Sequence, residues 1–148
     1  RVMINLIGLK KGETLCDPFC GTGTTLLESE SMGINAIGID FDVKMCEMSK
    51  ENLKINSYKS KILNSDFQEL VKISNDFNGI VTDLPYGRSS KASEKPEEVL
   101  KRFISIIPKG KKIAIMYKKE LDPKMKLKGL KKYHIYRHKS LTRTILIK

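Results

Sequence analysis

Long apolar runs are missing from this chain. No stretch approaches the roughly eighteen consecutive apolar residues of a membrane-spanning helix, and no signal or transit segment is visible. Cysteine is scarce. Cys16, Cys20 and Cys46 are odd in number and form no C-x-x-C pair, so they read as reduced thiols of a cytoplasmic protein. His134 and His138 are the two histidines; they lie late in the chain with no metal-ligand spacing around them, and no metal site is expected. Repeats and low-complexity stretches are absent as well. Acidic residues are what the second half has little of. Residues 1–87 carry 9 Lys/Arg against 12 Asp/Glu, whereas residues 88–148 carry 19 against 5. A cofactor-sized half near neutrality followed by a strongly basic half suggests that a polyanion docks on one side, although a lysine-rich solvated surface has the same composition.

What is present suffices for one domain. With 148 residues, 40% of them hydrophobic, the chain buries a core without staples. Short apolar strands alternate with helical segments, which is the α/β pattern. Strands are expected at 14–17, 36–40, 61–65, 79–83 and 111–117. Helices are expected at 24–31, 43–56, 68–74 and 96–107. Asp42 caps the second of these helices, with Val43, Cys46, Met48 and Leu53 as inward candidates. Pro96 opens the last helix, whose apolar face is Val99, Leu100, Phe103, Ile104 and Ile107. Residues 88–95 are polar and serine-rich and read as a loop. Residues 132–137 and 142–147 are two β-rich runs whose link is too short for a crossover helix, so they pair antiparallel. The expected fold class is therefore α/β: a doubly wound, mostly parallel Rossmann-like sheet closed by a C-terminal antiparallel hairpin, in a single domain over residues 1–148.

Asp17-Pro18-Phe19-Cys20-Gly21-Thr22-Gly23 puts an acid at the end of the first strand and a glycine turn after it, where backbone passes close to a ligand. Leu26 stands where a dinucleotide fingerprint has its third glycine, and no lysine follows as a phosphate loop requires. Both phosphate-binding readings lose ground, and Asp17 is positioned to take a cationic amino-acid group. Asp40, followed by Phe41 at the end of the second strand, suits the two hydroxyls of a ribose. Asp66 after the third strand suits an adenine amino group, with Phe67 against the ring. Singly, each acid reads more readily as a helix cap than as a ligand. In conjunction they match S-adenosylmethionine at the carboxyl edge of one sheet, with Asp17, Phe19, Cys20, Gly21, Thr22, Gly23, Asp40, Phe41, Asp66 and Phe67 as its candidate binding residues.

Asp83-Leu84-Pro85-Tyr86-Gly87 follows the fourth strand and resembles the Asp/Asn-Pro-Pro-Tyr/Phe loop of amino-methyltransferases. An exocyclic amine is a poor nucleophile because its lone pair is delocalised into the ring. Asp83 and the carbonyl of Leu84 can accept its two N–H groups and aim the lone pair, Asp83 can also receive the amine's proton, Pro85 rigidifies the turn, and Tyr86 stacks on a base taken out of its helix. A β-turn in which Asp, Pro and Gly do turn work is the plainer alternative. Together with Gly38-Ile39-Asp40, Asp66-Phe67 and the closing Ser140-Leu141-Thr142-Arg143, the two loops are similar to those of the archaeal and eukaryotic tRNA guanine-N2 methyltransferases across nearly the whole chain. The resemblance implies S-adenosylmethionine as methyl donor and the exocyclic N2 of a tRNA guanine, often at tRNA position 10, as acceptor. It also implies an N-terminal THUMP domain that captures the tRNA. Nothing in the sequence matches that domain, and the chain reads as the catalytic part of a longer protein. Leu84 departs from the motif, which has proline there, and less rigidity is expected of the loop.

Three rivals remain. A DNA amino-methyltransferase acting on adenine N6 or cytosine N4 shares the loops, yet in many such enzymes the acceptor loop comes first. A protein glutamine methyltransferase usually begins its acceptor loop with Asn. A non-catalytic RNA-binding module would not need acids at four strand ends. For tRNA, Tyr133 and Tyr136 among Lys131, Lys132 and Arg137 are candidate stacking residues, although period-2 strand packing explains the two tyrosines as well. Lys124, Lys126 and Lys128 read most simply as a solvated face, with an electrostatic floor for tRNA as the alternative.

Overall fold

The computed structural model describes residues 1–84, 95–121, 129–138 and 141–148. Five strands run parallel: β1 (Thr14–Asp17), β2 (Asn35–Asp40), β3 (Lys61–Asn64), β4 (Gly79–Asp83) and β5 (Lys112–Lys118). β6 (Lys131–His138) and β7 (Leu141–Ile147) pair antiparallel, and β7 lies between β5 and β6 in the order β3-β2-β1-β4-β5-β7-β6. The helices are α1 (Val2–Ile7), α2 (Thr24–Ser31), α3 (Val43–Ile55), α4 (Glu69–Lys72) and α5 (Pro96–Ile106). The expected doubly wound sheet with its terminal hairpin is what forms. Strand order reverses between β1 and β4, and ligand crevices of such sheets open at that switch, outside the carboxyl ends of the strands.

Parallel strands covered on both faces need apolar residues pointing both ways. Ile80-Val81 and Ile113-Ala114-Ile115 are such runs, and their side chains divide between two cores. Ile80, Ile113 and Ile115 meet Leu70, Leu100 and Phe103 from α4 and α5 on one face. Leu15, Val81 and Ala114 meet Ile4, Leu26 and Leu53 from α1, α2 and α3 on the other. Gly38 in β2 allows the close approach of α2: a Cβ there would come within 2.7 Å of Leu26 Cδ1 and 2.8 Å of Cys20 Sγ.

Three departures from the sequence reading are informative. First, α1 went unexpected, because its six residues are too few to display a helical period and Arg1 supplies no side-chain cap. It ends at Gly8 in the left-handed region (φ 62°), which glycine adopts without strain. Second, Val43 and Met48 are 55% and 46% exposed rather than inward. The buried stripe is Cys46, Ser49 and Leu53, so a serine holds a position on the inner face. Third, element ends move by a residue or two, β2 beginning at Asn35 and α4 spanning only Glu69–Lys72. No helix among the described residues is long and apolar enough to cross a membrane. Pro85, Tyr86, the loop at 88–94 and the lysines at 124, 126 and 128 lie outside the described residues.

Candidate active site

β1 ends by carrying Asp17 into the interior, where it is 2% exposed. Its Oδ1 accepts hydrogen bonds from Thr82 Oγ1 on β4 (2.7 Å) and from the Phe19 backbone N–H (3.1 Å). The Thr25 hydroxyl of α2 donates as well. Burial nevertheless pushes its carboxyl up to about 6, and the neighbouring Asp83 adds to the rise.

The glycine turn is stitched to β2. Cys20 N–H donates to Ile39 O (3.0 Å), and Gly21 N–H donates to Asp40 Oδ2 (2.9 Å). Gly23 N–H then closes the turn on Cys20 O at 2.9 Å, and α2 begins at the next residue. Gly23 has φ 87°, and a Cβ on it would overlap Ser49 Oγ of α3. The inward serine and the glycine therefore fit each other. Asn52 of α3 also donates to Thr22 O at 2.9 Å.

Asp40 Oδ1 accepts from Asp42 N–H (2.9 Å), so each oxygen of this carboxylate is held by one backbone donor and keeps acceptor capacity. The Asn64 amide donates to the carbonyls of Asp40 (3.1 Å) and Phe41 (3.0 Å), and the Phe41 ring is 44% exposed at this edge. Asp66 does cap-like work, its Oδ1 accepting from Gln68 N–H at 3.0 Å. Phe67 is 5% exposed; it packs on Phe19 (ring centroids 5.1 Å) and Phe103 (5.9 Å), with the Arg102 guanidinium 4.8 Å above its ring. Its ring belongs to the core, so the ring contact expected of it has little open surface to use.

Asp83 closes β4 and is half-buried. Arg143 Nη1 of β7 donates to its Oδ2 at 3.0 Å and sits 3.8 Å from Met116 Sδ of β5. Leu84 accounts for its own departure from the motif. Its N–H donates to Met116 O at 2.9 Å, one residue past the strand, and its side chain is buried in the main core. Proline has no N–H to make that bond. The rigidity expected to be lost is supplied by the ladder and by packing.

A cleft of about 410 Å³ gathers Asp17, Phe19, Gly21, Thr25, Asp83 and Met116, and Cys20 and Thr22 also line it. Arg1 and Glu28 lie at its wall, paired at 3.1 Å. Asp40, Phe41, Asp66 and Phe67 do not line it; they continue the same carboxyl edge at β2 and β3. A larger cavity of about 590 Å³ opens among Thr14, Asn35 and Lys61, the first residues of three strands, at the opposite end of the sheet. Burial pushes the thiols of Cys16, Cys20 and Cys46 up, so all three are protonated at neutral pH and are poor nucleophiles. Among the described residues no group of three His, Cys, Asp or Glu could hold a metal.

Sequence reasoning did not anticipate the roles of Thr82, Thr25 and Arg143. Thr82 directly precedes the acceptor-loop segment and Arg143 ends the closing segment, but their partners are 65 and 60 residues away.

The chain is similar to proteins of known designation. It is 35% identical to the tRNA (guanine(10)-N2)-dimethyltransferase of Methanothermobacter thermautotrophicus over 99% of its length, and spans 46% of that relative. It is also 35% identical to the "Probable tRNA (guanine(10)-N2)-dimethyltransferase" of Methanothermococcus thermolithotrophicus, over 97% of this chain and 92% of the relative. A Streptococcus mutans protein solved in complex with SAH superposes over 99% of this chain and 95% of its own, with a TM-score of 0.69 at 14% identity. The model of the UPF0020 family, described as RMKL-like, methyltransferase domain, matches residues 1–144. The family resemblance drawn from the two loops is thus borne out, and the chain belongs to the UPF0020 family of RMKL-like methyltransferase domains.

Proposed function

We propose that this chain forms a single S-adenosylmethionine-dependent methyltransferase domain that methylates the exocyclic N2 of a tRNA guanine. The observation that carries the proposal is one cleft with two acids of different character, Asp17 buried and Asp83 half-buried, at the switch point of a parallel sheet. Asp17 fits the methyl donor's ammonium. It is a buried carboxylate with no ion-pair partner among the described residues, and such a group is stabilised by a cation brought by a ligand.

In this reading Asp40, oriented by the backbone N–H groups of Gly21 and Asp42, takes the ribose hydroxyls. Asp66 takes the adenine amino group, with the exposed Phe41 ring nearby on the edge and Phe67 supporting from the core. When bound, the cofactor supplies an electrophilic methyl on a sulfonium, whose sulfur retains the S–C electron pair. Asp83 and the Leu84 carbonyl accept the two N–H groups of the guanine amine and aim its lone pair, which forms the N–C bond. One N–H proton then passes to water. Pro85 and Tyr86 complete the loop by fixing the turn and stacking on the flipped base.

The relatives' designations support tRNA as the partner, and so does the basic second half. β6 is the edge strand of the sheet; Lys131, Lys132, Tyr133 and Tyr136 are exposed along it and suit phosphate and base contacts. Because the chain spans 46% of its first relative, tRNA capture by a further domain, of the kind the resemblance implies, is part of the proposal.

Calorimetric titration of S-adenosylmethionine into the wild type and Asp40→Ala is the test, followed by tRNA methylation with modified nucleosides identified by mass spectrometry. Wild-type binding weakened about tenfold or more by the substitution, and formation of N2-methylguanosine, is the expected result. A well-folded wild type that binds no methyl donor overturns the enzyme reading.

A further inference from the structure

β7 runs against the parallel strands, so its beginning rather than its end arrives at the carboxyl edge. Arg143 pairs with Lys118 at the end of β5, while Met116 is the partner of Asp83 in the neighbouring ladder. The antiparallel insertion thus delivers a cation, 60 residues away in sequence, to the acid that closes β4. A parallel β7 would have presented its Ile145–Ile147 end there instead.

We infer that Arg143 is a positioning residue for Asp83: its guanidinium fixes the carboxylate's orientation toward the acceptor amine. The inference deepens the proposed function and rests on it. Two carboxylates at one sheet edge disfavour each other's charge, and the influence of Asp83 on Asp17 shows that they are close enough to do so. Among the described residues, the charged groups around Asp83 include Asp17 on β1, Arg143 on β7, Lys118 opposite Arg143 at the end of β5, and Arg1 with Glu28 at the cleft wall, the last two paired with each other. Met116 on β5 carries no charge. Arg143, with its Nη1 3.0 Å from Asp83 Oδ2, offsets the repulsion and lets Asp17 receive an ammonium while Asp83 receives an amine. A carboxylate paired with a guanidinium is a good hydrogen-bond acceptor and a reluctant proton acceptor. Asp83 accordingly orients the amine, and the proton released on methylation goes to water. The pairing to Met116 Sδ and the half-buried setting keep the guanidinium from wandering.

The test compares wild type with Arg143→Gln and Arg143→Lys in single-turnover tRNA methylation, together with methyl-donor affinity and a carbon-13 titration of the Asp83 side chain. Arg143→Gln is expected to lower the methylation rate at least tenfold with donor affinity changed less than twofold. Arg143→Lys, which retains a point charge, is expected to fall between. Removing the guanidinium should raise the Asp83 titration midpoint, and the acid limb of the rate profile should move with it. An Arg143→Gln rate within twofold of wild type, or an unmoved midpoint, overturns the inference. If the wild type binds the donor but methylates no guanine, the N2 reading falls, and a moved midpoint still supports the Asp83–Arg143 pairing.

Discussion

Asp17→Asn separates the stability of the fold from its chemistry. In the native state burial raises the Asp17 carboxyl from 3.8 to about 6. A shift of about two units corresponds to roughly 3 kcal/mol of native-state cost whenever the group is ionised. The sign follows from proton binding. Between about 4 and 6 the native state holds the proton more tightly than the unfolded chain, so stability is greatest below the unfolded value and is lost as pH rises through about 6. Asparagine is neutral throughout. Its carbonyl oxygen keeps the bonds from Thr82 and Phe19, and its amide can donate to the Thr25 hydroxyl. Allowing about 1 kcal/mol for imperfect amide geometry, Asp17→Asn should be about 2 kcal/mol more stable than wild type at pH 7.5. For a domain of this size that is roughly 4–8 °C in Tm. The difference should shrink as pH falls through 6, pass through zero between about pH 4 and 5, and leave the variant about 1 kcal/mol the less stable below that, which differential scanning calorimetry in a pH series would show. On the proposed reading, in which Asp17 holds the donor's ammonium, the same substitution should weaken S-adenosylmethionine binding by about a hundredfold, roughly 3 kcal/mol. A variant that melts below wild type at pH 7.5 by a margin independent of pH refutes the electrostatic argument. A variant that binds the methyl donor normally refutes the role of Asp17.

Leu84→Pro, which restores the general motif, should destabilise rather than improve the protein, by about 2 kcal/mol, because it removes the donor to Met116 O and a buried side chain; urea unfolding measures this, and an unchanged midpoint would sink the explanation. Tyr136→Ala should weaken RNA binding about fivefold or more, whereas Lys131→Glu with Lys132→Glu should reduce the salt dependence of binding by about two phosphate contacts. Filter binding across a salt series distinguishes the two, and an unaltered affinity in both variants would remove β6 from the RNA surface.

Much of the architecture was legible because it depends on neighbours in sequence. The strand-end acids, the glycine turn and the Pro96 helix start are local signals, and β1, α2 and β4 fall at their expected residues. α1 was not legible, since two buried isoleucines in six residues make no period. The α3 face was misread because Val43 lies at the helix's first residue and Met48 is two residues from Cys46, off the buried stripe. Ser49, chosen by its fit to Gly23, took the place an apolar residue was expected to hold.

The sequence by itself determined that this is a doubly wound methyltransferase-type sheet with a glycine turn after its first strand and an Asp-Leu-Pro-Tyr segment after its fourth. Those features arise from backbone conformations and apolar periods confined to a few consecutive residues. Only the tertiary structure decided that Asp17 lies buried beneath Thr82 and Thr25, that Leu84 donates to the ladder, and that Arg143 meets Asp83. Each of those contacts depends on strand register or on how layers cover one another, and spacing along the chain carries no record of either.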